Sequence, residues 1–200
     1  MPILGITGGV ATGKTSFSSE LRIRLAAELF DTDSYARALL AGDPEVRDEI
    51  SRHFGEAIFA ADGNVDRAKL RETVFRDESQ RVALQQILHP RIRGRWVSLA
   101  QRARAAHRWL VVDIPLLFET KAEEYFDRVV VVACSAEVQR RRLLEVRGLG
   151  EETARGIIAA QLDLMCKMER SHHAIWNDSA LPWLREQAIL LGDYLLLEYG

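Results

Sequence analysis

The sequence predicts a three-layer α/β fold, a five-stranded parallel sheet with helices on both faces, on three observations. Apolar runs of strand length alternate with amphipathic helical patterns along the chain, and that alternation implies parallel pairing through helical crossovers. The first run ends in Gly8-Gly9-Val10-Ala11-Thr12-Gly13-Lys14-Thr15 and opens at once into a helical pattern. Hydrophobic residues make up 48% of the chain and charged residues 28%, and 200 residues are enough for one full domain with a dry core.

Each element has a sequence reason. Pro2 to Thr7 is a short apolar run ending in glycines, as a buried parallel strand requires. From Lys14 the spacing becomes helical through Phe17, Leu21 and Leu25. Leu29-Phe30 leads into Asp31-Thr32-Asp33, a second strand that stops in carboxylates.

Residues 34 to about 108 are mostly helical in pattern. Asp43-Pro44-Glu45 reads as an N-cap, a proline at the first helical position and an acid in the first turn. Asp62-Gly63-Asn64 is a turn, and Asp66 caps a helix carrying Leu70, Val74 and Phe75. A long helix from Glu78 is expected to break near His89-Pro90. Trp109 to Asp113, Arg128 to Ala133 and Ala174 to Trp176 are the third, fourth and fifth strands. Helices are expected over Ala136 to Val146, Glu151 to Leu164 and Leu181 to Leu196.

Composition limits the partners. Lysine and arginine number 27 against 29 acidic residues, so no global field favours a nucleic acid. No apolar run approaches the ~20 residues of a membrane span. Met1-Pro2-Ile3-Leu4-Gly5 enters a strand without a basic leader, and Cys134 and Cys166 form no metal-ligand or disulfide pattern. A cytoplasmic protein is expected.

The G-x-x-x-x-G-K-[ST] pattern has a mechanical basis. Glycines let successive N–H groups approach phosphate oxygens, and the following helix adds its positive end. The cradle Gly8, Gly9, Val10, Ala11, Thr12, Gly13, Lys14, Thr15 and Ser16 is therefore expected to bind ATP. Lys14 reaches the β- and γ-phosphates, and the Thr15 hydroxyl ligates Mg²⁺. A regulatory GTPase would need N-K-x-D and D-x-x-G. Neither Asn64 nor Asn177, the only asparagines, precedes a lysine, and D-x-x-G is absent.

A small-molecule kinase of the P-loop class fits better. Phosphoryl transfer needs a positioned hydroxyl, a proton acceptor and cations around the moving group. Asp33, at the end of the second strand, is the candidate base, although one of Asp31 and Asp33 is expected to cap the next helix. Gln139-Arg140-Arg141-Arg142 supplies cations pointing around a helix, so one or two can face a phosphate. His172-His173 lacks partners at metal-ligand spacing.

At this point the chain resembles the dephospho-coenzyme A kinase family, from Gly5 to about Ser179. The likeness is carried by Gly5-Ile6-Thr7-Gly8-Gly9 with the cradle, and by Asp31-Thr32-Asp33-Ser34-Tyr35-Ala36-Arg37. It continues through Phe54-Gly55, Asp66-Arg67-Ala68-Lys69-Leu70, Ile87-Leu88-His89-Pro90 and Pro115-Leu116-Leu117-Phe118-Glu119. Gln139-Arg140-Arg141-Arg142-Leu143, Gln161 and Ile175-Trp176-Asn177-Asp178 complete it.

The resemblance implies ATP-dependent phosphorylation of the ribose 3′-hydroxyl of dephospho-coenzyme A, the last step of coenzyme A biosynthesis. It implies that Asp33 accepts the hydroxyl proton and that Lys14 and Arg142 steady the phosphoryl. Asn177 would sit near the adenine, and Asp33, His89, Leu116, Leu117 and Glu119 on the acceptor side. It further implies one P-loop kinase domain in three parts: a core (1–33, 109–139, 166–200), a helical substrate-binding insertion (34–108) and a mobile lid (140–165). The expected partner is the small-molecule acceptor alone, with the chain a monomer or weak homo-oligomer.

Departures from the family pattern are Ala11-Thr12 where Gly-Ser is commoner, and Val146 with Arg147 beside it where an arginine usually follows Arg142 by four. Ser179 stands for a usual glycine, and Leu164 for an often basic residue. Two other readings remain open: another P-loop metabolite kinase, and a nucleotide-binding module without turnover.

Overall fold

Five strands, Ile3–Gly8 (β1), Glu28–Asp31 (β2), Leu110–Asp113 (β3), Arg128–Ala133 (β4) and His173–Trp176 (β5), form one sheet in the order β2-β3-β1-β4-β5. The structure, a computed structural model, describes residues 1–200. β1 lies parallel between β3 and β4, with Ile6 opposite Asp113 and Gly8 opposite Val132, and β5 runs parallel outside β4. Every residue of β1 and β3 is buried, which is why they read as continuous apolar runs without alternation. The three-layer α/β fold predicted from sequence is the fold observed.

The chain divides into two units, Met1–Phe30 with Leu99–Gly200, and Asp31–Ser98. In the first, Lys14–Arg24 (α1) and Leu181–Tyr199 (α9) cover the sheet. Its core joins Leu4, Ile6, Phe17, Leu21, Val130 and Val132 to Leu184, Ala188 and Leu195 of α9. No helix is long and apolar enough to cross a membrane.

The second unit is built from Thr32–Gly42 (α2), Pro44–Phe54 (α3), Arg67–Arg76 (α4) and much of Glu78–Ala105 (α5). Its own core holds Leu39, Val46, Ile50, Ile58, Leu70, Ile87 and Leu88. The caps read from sequence are present: Asp43 accepts from Val46 N at 3.0 Å with Pro44 in the first turn, and Asp66 accepts from Ala68 N at 3.0 Å and Lys69 N at 3.1 Å.

Three expectations are corrected. The expected break at His89-Pro90 is absent, and α5 runs through Pro90 without interruption. Proline removes a donor from this turn. The Arg91 guanidinium donates to the Ile87 carbonyl at 2.9 Å and is held by Glu49 at 3.0 Å, so a side chain braces the turn. The expected helix over 136–146 is α-helical only as Ala136–Arg141 (α6), and then widens into a π-turn over Arg142–Val146. Arg147 N donates to Arg142 O at 3.2 Å across that turn, which keeps Leu143 fully buried and leaves Val146 79% exposed. The helix expected over 151–164 is instead Glu151–Ala159 (α7), then a second helix, Leu164–Glu169 (α8). Asp163 nucleates the second one by accepting from Met165 N at 2.8 Å.

Candidate active site: a phosphate cradle with outward carbonyls

The loop between β1 and α1 is held by its carbonyls. Gly9 O accepts from Thr12 Oγ1 at 2.9 Å, Val10 O from Gln139 Nε2 at 2.8 Å and Ala11 O from Arg142 Nη1 at 3.3 Å. Thr12 O accepts from Asn177 Nδ2 at 2.7 Å, and Gly13 O from Phe17 N at 3.1 Å. Thus five successive carbonyls each have a named donor, and three of those donors are side chains from outside the loop, Gln139, Arg142 and Asn177. In a trans peptide the N–H points opposite to its C=O. The N–H groups of Ala11, Thr12, Gly13 and Lys14 are therefore turned to the other side, forming an anion-binding nest at the positive end of α1.

Glycines make the close approaches possible. A Cβ on Gly8 would lie 2.2 Å from the Val132 carbonyl oxygen. One on Gly13, whose φ is 94°, would lie 2.3 Å from Asn177 Nδ2. Ala11 is the anomaly, a non-glycine residue at φ 60°. This left-handed conformation costs an L-residue roughly 1–2 kcal/mol, partly offset by glycine's greater freedom in the unfolded chain. Ala11→Gly is expected to stabilise the fold by up to about 1 kcal/mol, a rise of about 2–4 °C in melting temperature measured by calorimetry.

Lys14 lies at the start of α1, 9% exposed, and its ammonium pairs directly with Asp113, itself 2% exposed, at the end of β3. Ser18 Oγ donates to the other Asp113 oxygen at 3.2 Å. The hydroxyl-bearing Thr15 and Ser16 are exposed on the first turn of α1.

After β3, Leu116 is half-buried, but Leu117 is fully buried, and its side chain is 2.8 Å from where a Cβ on Gly5 would sit. Leu117 is a core residue. Glu119 pairs with Lys167 at 2.9 Å and accepts from Leu162 N at 2.9 Å. Lys167 is fully buried and also donates to Pro115 O at 2.9 Å.

Asn177 is 4% exposed, and its amide holds Thr12 O. In the helical unit, Asp31 accepts from Ser34 N at 2.9 Å and is the cap of α2, so Asp33 in the first turn is not the cap and lies exposed. His89 is half-buried in α5, and burial, aided by Arg93, lowers its pKa below the usual histidine range.

Sequence reasoning missed the roles of Asp113, Gln139, Gln161 and Lys167. Asp113, a carboxylate ending a wholly apolar strand, was the available signal. The thiols differ sharply: burial pushes Cys134 up to about 11, while Cys166 is exposed. A thiol reagent at neutral pH is expected to label one cysteine quickly in the native protein and both after denaturation.

A strand, an anion nest, a helix and a lysine held by a buried carboxylate define the class, a P-loop kinase fold. Shikimate kinase from Acinetobacter baumannii shares that fold, with a TM-score of 0.56 at 14% identity over 99% of this chain and 94% of its own. More narrowly, the chain belongs to the dephospho-CoA kinase family, whose model matches residues 2–182. The dephospho-CoA kinase of Geobacillus kaustophilus is 36% identical over 189 residues, 94% of each chain. The TT1252 protein of Thermus thermophilus has a TM-score of 0.77 at 29% identity, covering 96% of both chains.

Proposed function

We propose that this protein transfers the γ-phosphoryl of ATP to the ribose 3′-hydroxyl of dephospho-coenzyme A, giving coenzyme A and ADP. The observation that carries the reading is the nest of outward carbonyls with Lys14 beside it, in a chain of the dephospho-CoA kinase family. Inward N–H groups and α1 bind the phosphates of ATP. Lys14, now paired with Asp113, turns to the β- and γ-phosphates when they arrive. Arg142, which donates to Ala11 O in the structure, turns to meet the transferring phosphoryl. Asp33 accepts the proton of the attacking hydroxyl.

Mg²⁺ fits the donors present. Thr15 offers an exposed hydroxyl and Asp113 a carboxylate beside Lys14, both hard oxygen ligands, while no three His, Cys, Asp or Glu side chains converge on one point. A cation that keeps waters and takes further oxygens from phosphates suits such a sparse set. When bound, Mg²⁺ neutralises charge on the β- and γ-phosphates.

We assign acceptor binding to the helical segment 34–108, which carries His89, and to Leu116 after β3, and lid motion to 140–165. The protein would work in the cytoplasm, as a monomer or weak homo-oligomer. An acceptor screen tests the reading: ADP release should be Mg²⁺-dependent and stimulated by dephospho-coenzyme A. Stimulation by shikimate, gluconate or a nucleoside monophosphate instead would assign a different metabolite, and absence of any turnover would leave a binding module.

A further inference from the structure

We infer that Gln139 and Gln161 are positioning residues for phosphoryl transfer, gripping Val10 of the phosphate loop with opposite hydrogen-bond polarity. The inference rests on the reading of the loop as the ATP cradle. Gln139, 4% exposed on α6, donates its Nε2 to Val10 O at 2.8 Å. Gln161, just beyond α7, accepts from Val10 N through its Oε1 at 2.8 Å. The two glutamines bracket residues 140–160, so both ends of that segment terminate on one residue of the loop.

The grip matters because each peptide is a rigid plane. Val10 O belongs to the same peptide as the Ala11 N–H, so fixing the carbonyl outward fixes that N–H inward. Without the Gln139 donor, this peptide is free to rotate and present its carbonyl to a phosphate, which repels it. Gln161 acts on the preceding peptide, whose carbonyl Gly9 O is held by Thr12 Oγ1 at 2.9 Å. Val10 N–H is thereby occupied, and the nest begins at Ala11.

Gln161 is itself anchored. The next residue, Leu162, donates its N–H to Glu119 at 2.9 Å, and Glu119 is fixed by Lys167, which is fully buried and donates to Pro115 O at 2.9 Å. Thr7 Oγ1 donates to the same Pro115 carbonyl at 3.1 Å, tying this chain of contacts back to β1. Gln139 and Gln161 also form part of the wall of a cavity of about 440 Å³ that reaches Gly9, so the loop is gripped across an opening and not within solid core.

The opposite polarity gives a test with an internal control. Gln139→Glu and Gln161→Glu add the same charge at two atoms of one residue. A carboxylate at 161 still accepts from Val10 N–H, but one at 139 faces Val10 O with no donor. We expect Gln139→Glu to weaken Mg·ADP binding, measured by calorimetry, at least tenfold more than Gln161→Glu does. The kcat/KM for ATP should follow the same order, and Gln139→Glu, whose carboxylate is buried without a donor, should also melt below Gln161→Glu. If Gln139→Glu does not fold, Gln139→Met removes the donor without adding charge, and the same loss of affinity is expected relative to Gln161→Glu. Equal losses at both positions would mean that charge alone acts, and lowered melting with unchanged ADP affinity would mean a purely structural role; either overturns the inference. If the wild type binds Mg·ADP but makes no coenzyme A, the substrate reading fails while this comparison still stands.

Discussion

Lys14→Ala is expected to lower turnover at least ~10²-fold, equivalent to ~3 kcal/mol of transition-state stabilisation, because the lost cation faces charge that develops on the phosphoryl group. The substitution has a second consequence that the sequence does not reveal. Lys14 is the partner of Asp113, which is 2% exposed, and removing one member of a buried ion pair strands the other at a cost of roughly 3–5 kcal/mol. A dead, partly unfolded Lys14→Ala would therefore prove little. The double variant Lys14→Ala with Asp113→Asn removes the stranded charge while Ser18 remains a hydrogen-bond partner. It should melt close to wild type and still turn over at least ~10²-fold slower, with melting and rate measured on the same preparation. Near-normal turnover in that folded protein would contradict the cradle mechanism.

The second large effect lies at Asp33. Asp33→Asn keeps the size of the side chain and its ability to hydrogen-bond, but not its ability to take a proton. General-base contributions run ~10²–10⁴-fold, and the loose transition state of phosphoryl transfer places the expected drop in kcat near the lower end. ATP affinity should change by less than ~1 kcal/mol, short of tenfold. Asp31 supplies the control. Its carboxylate caps α2 through Ser34 N, and asparagine caps a helix about as well as aspartate, so Asp31→Asn should be nearly silent. A dead Asp31→Asn beside an active Asp33→Asn would reverse the assignment.

The parts legible in the sequence were those governed by short-range rules. The strand–glycine–helix junction, the strand Arg128–Ala133 and the caps Asp43 and Asp66 each depend on neighbours a few residues away. The continuity of α5 was not legible, because what braces Pro90 is Arg91 held by Glu49, a pairing across 42 positions. The end of α7 at Ala159 and the start of a separate helix at Leu164 were hidden because the apolar spacing continues across them, while Asp163 caps the second helix locally.

The site shows the same contrast. The glycines and Lys14 are legible from a motif, but three of the five donors to the loop carbonyls come from positions more than 120 residues away in the sequence. Asn177, which the family likeness puts near the adenine, also holds Thr12 O with its amide nitrogen, a partner that its place at the end of β5 does not reveal in the sequence. Leu117 and Glu119 read as acceptor contacts from a contiguous motif. One packs under Gly5 and the other holds Lys167, so a single short motif carries core packing and ion pairing side by side.

The most direct test of the central claim is the mass and position of the product. Purified protein incubated with ATP, Mg²⁺ and dephospho-coenzyme A should yield ADP and coenzyme A in equal amounts, with the added phosphate on the ribose 3′-oxygen. ADP formed without a phosphorylated acceptor, or a phosphate placed on any other atom, would contradict the account.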